Sequence, residues 1–200
     1  MTHHNTYSIS AKYITAFLAA LTIICSAIAH MRNETWRDEI VLWEDTVSKS
    51  PAKSRVYNNL GSAYSVAGRN PAALNSFTTA IALEPNDAVA YYNRGRAFRT
   101  IGRNDMALVD YNKAITLNPK YTDAYVNRGN LLDDQGRTFE AIEDYNRVIG
   151  AEPFQDNARY NRGVAYEKLH MLNEAIVDYR LACSAGIATG CDALTRVLHK

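Results

Sequence analysis

Aromatic and small apolar residues recur along this chain at one fixed interval. Trp43, Phe77, Tyr111, Tyr145 and Tyr179 stand 34 residues apart. The same step carries Gly61, Gly95, Gly129 and Gly163; Ala73, Ala107, Ala141 and Ala175; and Pro51, Pro85, Pro119 and Pro153. A period of roughly 20–50 residues marks a stacked array whose units cannot each bury their own apolar face. In units starting at Ser54, Ala88, Thr122 and Asp156, the pattern predicts two helices each. The first stops at Gly68, Gly102 and Gly136, where a left-handed residue is needed, and the fourth unit has His170 there. The second ends before Pro85, Pro119 or Pro153. The glycine and alanine series let the two helices approach, and the aromatic series is expected to fill the space between one unit and the next. The predicted fold is all-α: a solenoid of about four 34-residue helix-turn-helix repeats with capping helices, preceded by one transmembrane or signal helix.

The expected organisation is a tail over 1–12, a membrane or signal segment over 13–31 and an N-capping helix over 34–50. Repeats follow at 54–87, 88–121, 122–155 and 156–187, then a C-terminal capping helix over 188–200. Residues 13–31 contain no Asp, Glu, Lys or Arg. As a helix they would reach about 28 Å, just enough for a hydrocarbon core. Two readings stand: an uncleaved anchor, or a signal peptide, since Lys12 precedes the run and Ala27-Ile28-Ala29 has the small-x-small form of a cleavage site. A lipoprotein signal fits less well, because bulky Thr22-Ile23-Ile24 precede Cys25. Lys12 on one side and Arg32 and Arg37 on the other do not fix the orientation.

Charge and motifs narrow the chemistry. With 22 basic and 21 acidic residues, the net charge of +1 creates no bulk field for nucleic acid. Three cysteines are too few for a disulfide scaffold, and the five histidines have no ligand spacing, so no metal or cofactor is expected. Asp133 and Asp134 are adjacent and read as a solvated face. No phosphate loop or nucleophile elbow is present. The expectation is a protein without catalytic residues or a small-molecule substrate, and not an enzyme.

Tyr57, Leu60, Gly61, Tyr64, Ala73, Phe77, Ala80 and Pro85 in repeat one resemble the eight signature positions of the tetratricopeptide repeat family. Repeats two and three keep most of them, and repeat four departs with Arg159 and Ile187. The resemblance implies a right-handed superhelix with a concave peptide-binding groove. The junction Arg32 to Pro51 resembles that of membrane glycosyltransferase-like proteins that carry such repeats. In that class the apolar helix is retained, but their catalytic membrane helices are absent from this sequence.

Two further series share the register. Arg94, Arg128 and Arg162 precede the series glycine, and Asp110, Asp144 and Asp178 precede the series tyrosine. Repeat one has Leu60 and Ser76 instead, so the two residue types appear and vanish together. They are expected to form structural ion pairs, with anion binding by the arginines as the other reading. Asn59, Asn93, Asn127 and Asn161 occupy a position that faces the groove in this family. A side-chain amide can pair with the C=O and N–H of an extended peptide. Such a row resembles the asparagine ladder of the nucleocytoplasmic glycosyltransferase superhelix; the competing reading is that each asparagine bonds neighbouring backbone. Tyr92 and Tyr160 are candidates to stack on a ligand side chain, and Arg96 and Arg99 to pair with an acidic one. The spacing of Cys183 and Cys191 resembles the cysteine pairs of Sel1-like repeat proteins, implying a bridge in an exported protein and two buried thiols in the cytosol.

These readings predict a membrane-anchored scaffold binding a protein or extended peptide, with membrane contact through residues 13–31. Its repeats would stand on the non-cytoplasmic side of a single-pass anchor, or be secreted or periplasmic after cleavage. The alternative is an accessory subunit presenting acceptor protein to an envelope glycosyltransferase.

Overall fold

The computed structural model describes residues 13–14, 16–22, 24–26 and 39–199. The chain divides into two compact units on either side of the Pro51–Ala52 bond. In the first, the described residues between 13 and 26 are helical and exposed, and helix α1 spans Glu39–Lys49. Among the described residues no helix is long and apolar enough to cross a membrane. Residues 15, 23 and 27–31 of the predicted apolar segment, and 34–38 of the predicted capping helix, lie outside the described residues.

The second unit is built from α2 (Ser54–Val66), α3 (Asn70–Leu83), α4 (Ala88–Thr100), α5 (Asn104–Leu117) and α6 (Thr122–Asp134). It continues with α7 (Thr138–Ala151), α8 (Asp156–Lys168), α9 (Leu172–Ser184) and α10 (Ala188–Leu198). Helices pair as α2 with α3, α4 with α5, α6 with α7 and α8 with α9, and each pair packs on the first helix of the next. Helix α10 stands where a fifth first helix would, against α9. The turn inside each pair needs left-handed backbone: φ is 71° at Gly68, 76° at Gly102 and 77° at Gly136. His170 holds φ 57° at the equivalent place, a conformation its Cβ disfavours.

The core of each repeat is an aromatic ring seated on a glycine. A Cβ on Gly61, Gly95, Gly129 or Gly163 would lie 2.7, 2.9, 2.8 or 2.8 Å from the ring of Phe77, Tyr111, Tyr145 or Tyr179. Only a residue without a side chain lets the two helices close on the ring. The sequence placed the aromatic series between repeats; the ring instead sits inside its own repeat and reaches the next with its other side. Phe77 clusters with Ala97, Tyr145 with Ala165, and Tyr179 with Ala193 and Val197 of α10.

Beside each ring of repeats two to four lies a two-pronged ion pair. Arg94 donates to both carboxylate oxygens of Asp110 at 2.8 Å. Arg128 does the same to Asp144 at 2.8 and 2.6 Å, and Arg162 to Asp178 at 2.7 Å for both. These aspartates are almost fully buried. The hydrogen-bonded carboxylates hold all three guanidinium pKa values above their ordinary range. The remaining Nη1 reaches back to the preceding repeat: to Thr78 Oγ1 at 3.4 Å, Asn112 Oδ1 at 2.6 Å and Asn146 Oδ1 at 2.6 Å. One side chain thus joins three helices.

Asp134 is exposed as the sequence suggests, whereas Asp133 is half-buried, and both carboxylates are paired with other repeats. Lys168 Nζ of α8 donates to Asp133 at 2.7 Å, and Arg99 of α4 to Asp134 at 2.8 Å. Arg196 of α10 meets Glu167 of α8 at 2.6 Å. Each pair ties the first helix of one repeat to that of the next or to the cap. Cys183 and Cys191 are joined in a disulfide that tethers α10 to α9.

Gly129→Ala should lower the unfolding free energy by about 1–3 kcal/mol by overpacking the Tyr145 ring. Gly150→Ala, in a helix with open space around it, should instead raise stability by about 0.5–1 kcal/mol. Arg128→Met should cost about 3–5 kcal/mol by leaving Asp144 buried without its partner, whereas Arg128→Met with Asp144→Leu should recover most of that loss. Chemical denaturation followed by circular dichroism measures both comparisons.

Candidate functional site

The first helices α2, α4, α6 and α8 succeed one another along one face, and their half-buried polar residues form its floor. Asn93 donates its amide to Asn58 Oδ1 at 3.0 Å, across from α4 to α2. Asn127 donates to the Tyr92 hydroxyl at 3.0 Å and to the Asp123 carbonyl at 2.9 Å. Asn161 donates to Asn130 Oδ1 at 2.9 Å. The amide nitrogens therefore stitch neighbouring repeats, while none of the three side-chain carbonyls accepts a hydrogen bond from a described residue. Asn59 is half-buried and has no side-chain hydrogen bond among the described residues. The sequence reading assigned these amides both donor and acceptor roles toward a ligand; the geometry leaves the acceptor free.

The other candidates divide. Tyr92 is only 9% exposed and packs with ring centroids 4.9 Å from Tyr121 and 6.1 Å from Tyr111, so it is wall, not a free stacking platform. Arg96 lies over it, 5.7 Å from the ring centroid, and has no carboxylate partner among the described residues. Arg99 is held by Asp134, as described above. Tyr160 is half-buried with its ring 6.0 Å from that of Tyr179. Arg94, Arg128 and Arg162 are engaged with Asp110, Asp144 and Asp178.

Three depressions follow one another along this face. A cavity of about 250 Å³ is lined by Ser62, Asn93 and Arg96, and one of about 360 Å³ by Arg96, Arg99, Tyr111 and Asn127. A third, of about 290 Å³, is lined by Asn130, Asp133, Tyr160 and Asn161. Sequence reasoning missed Tyr111 here, because its ring belongs to the repeat core. The signal lay in its neighbours: where repeat three has Asn130 and Asp133, repeat two has Arg96 and Arg99. Burial pushes the Tyr111 phenol up to about 12, against the pull of Arg99 and Arg96. Burial likewise raises Tyr145 and Tyr179. Among the described residues no group of His, Cys, Asp and Glu is placed to hold a metal ion.

Three family models, each described as a tetratricopeptide repeat, match residues 88–121, residues 110–143, and residues 54–87 with 156–185. No curated protein matches the chain. Among solved structures it is similar to MamA, with 29% identity over 73% of this chain and 85% of that one, and a TM-score of 0.67. It also shares its fold with YrrB, a repeat protein with an unusual peptide-binding site, at 21% identity over 86% of both chains and a TM-score of 0.65. The first repeat domain of Spaghetti (RPAP3), bound to an HSP90 peptide, is 29% identical over 59% of this chain and 94% of that one, with a TM-score of 0.57. This repeat fold is typical of non-catalytic binding scaffolds. With repeats matched over more than half of its length, the chain belongs to the tetratricopeptide repeat family.

Proposed function

We propose that this protein is a non-catalytic scaffold that holds an extended peptide, or an extended segment of a partner protein, along α2, α4, α6 and α8. The observation that carries this reading is the row of side-chain carbonyls on Asn93, Asn127 and Asn161, none of which accepts a hydrogen bond from a described residue. Each amide nitrogen is fixed by the neighbouring repeat, so each Oδ1 is pre-oriented and costs little entropy to use. Acceptors repeated once per unit suit the N–H groups of an extended chain and pay no regard to its side chains. Two similar folds support the reading: YrrB has a peptide-binding site, and the Spaghetti (RPAP3) domain holds an HSP90 peptide.

Membrane tethering by residues 13–31, with the repeats on the non-cytoplasmic side, belongs to the same proposal. It rests on the uncharged run and on a cysteine pair suited to an oxidising compartment. No residue of the groove is assigned a catalytic, metal or cofactor role.

Capped random 12-residue peptides displayed on phage and selected on the full chain supply a ligand. Fluorescence anisotropy should then show at least tenfold weaker binding to the Asn93→Ala, Asn127→Ala double variant, with its helical circular dichroism retained. Equal affinity would remove the ladder from the site. Separately, non-reducing peptide mapping of protein from its native membrane should recover Cys183 joined to Cys191; two free thiols would end the export reading.

A further inference from the structure

The same structural position carries Tyr111, Tyr145 and Tyr179 in three successive repeats, yet their hydroxyls meet different fates. Tyr145 donates to Asn130 Oδ1 at 2.8 Å, and Tyr179 donates to Glu167 Oε2 at 2.8 Å. Both acceptors lie on the first helix of the tyrosine's own repeat. In repeat two those two positions are Arg96 and Arg99, which offer donors only. The Tyr111 hydroxyl is accordingly buried without a hydrogen bond among the described residues, in a side chain that is 0% exposed. The Tyr111 side chain is part of the lining of the cavity of about 360 Å³, together with Arg96, Arg99 and Asn127.

We propose that this cavity binds the side-chain carboxylate of an aspartate or glutamate inside an extended peptide, with Tyr111 and Arg96 as its two contacts. The inference deepens the groove reading and rests on it for the peptide, but not for the anion site. A neutral phenol offers one O–H, and the Arg96 guanidinium offers several N–H groups. A planar carboxylate has two oxygens and takes one from each. Charge selects the ligand further. Arg99 is balanced by Asp134, and both amide hydrogens of Asn127 are engaged, so among the described residues the positive charge of Arg96 remains without a carboxylate partner. That matches a monoanion, whereas a phosphate monoester carries about −1.5 to −2 near pH 7 and would stay half-neutralised. Position also matters. Further cavities continue the face on both sides, by Asn93 and by Asn161, so the chain passes through the site and does not end there. Burial keeps the phenol protonated, hence a donor, well past neutral pH.

The test is an NMR titration of the ¹⁵N-labelled full chain in detergent, read at the side-chain N–H signals of Arg96. Three probes separate the sources of anion: N-acetylglutamic acid α-amide, with only a side-chain carboxylate; N-acetylalanine, with only a terminal one; and inorganic phosphate. The glutamate probe should shift the Arg96 signals saturably and bind at least threefold more tightly than the other two. Tyr111→Phe should weaken it three- to tenfold, and Arg96→Gln should abolish the shift. The phenylalanine variant has a precedent within the chain, since Phe77 fills the same seat in repeat one. Tighter binding of phosphate or of N-acetylalanine would overturn the assignment, as would unchanged affinity in Tyr111→Phe or no shift with any probe. The groove reading would survive those results, because selected peptides test it through Asn93 and Asn127.

Discussion

A ring seated on a glycine sixteen residues before it governs how the two helices of every repeat approach. The seat is tight: any side chain on Gly61, Gly95, Gly129 or Gly163 would run into the ring. Once it closes, other geometry follows without further choice. The residue before the glycine and the residue before the aromatic are brought face to face, which is where Arg94 and Asp110, Arg128 and Asp144, and Arg162 and Asp178 meet. The opposite edge of the same first helix carries the asparagines and the groove-lining arginines. Core packing thus sets the spacing of the face proposed to bind peptide.

The ion pairs have a purpose distinct from the seat. Repeat one closes on Phe77 with Leu60 and Ser76 in their place, so the seat does not need a charge. Buried pairs of this kind are weak contributors to net stability but specific in geometry. Their third arm is the informative one. The Nη1 of Arg94, Arg128 and Arg162 reaches Thr78, Asn112 and Asn146 on the second helix of the preceding repeat. Repeat one, with Leu60 in place of the arginine, has no such arm. We read the pair as a registry device that fixes each repeat on the one before.

The period, the glycine turns and the arginine–aspartate pairing were legible because each recurs at a constant interval. What was not legible depends on residues from different positions of the repeat, a relation that a comparison of equivalent positions does not show. Asp133 and Asp134 read as a solvated pair until α8 and α4 supply Lys168 and Arg99. Tyr92 read as a stacking platform because its position faces the groove, yet Tyr121 and Tyr111 cover its ring. The asparagine row was found by its spacing, but the engagement of each amide nitrogen required the neighbouring helix to be in place.

The proposed carboxylate site lies where one repeat departs from its siblings. Every tyrosine in the seat contributes the same packing, and only the fate of its hydroxyl differs. A buried hydroxyl without a partner disfavours the folded chain by about 1–3 kcal/mol. Phenylalanine, already used at residue 77, would remove that penalty. Repeats three and four remove it differently, with Asn130 and Glu167 as acceptors. In repeat two the unsatisfied phenol coincides with the one groove arginine that lacks a carboxylate among the described residues. A ligand carboxylate would satisfy both groups at once, and in the proposed site a defect of the free protein is the source of selectivity. A glutamine in its place still accepts at one oxygen, but its amide brings donors to a site that already has too many.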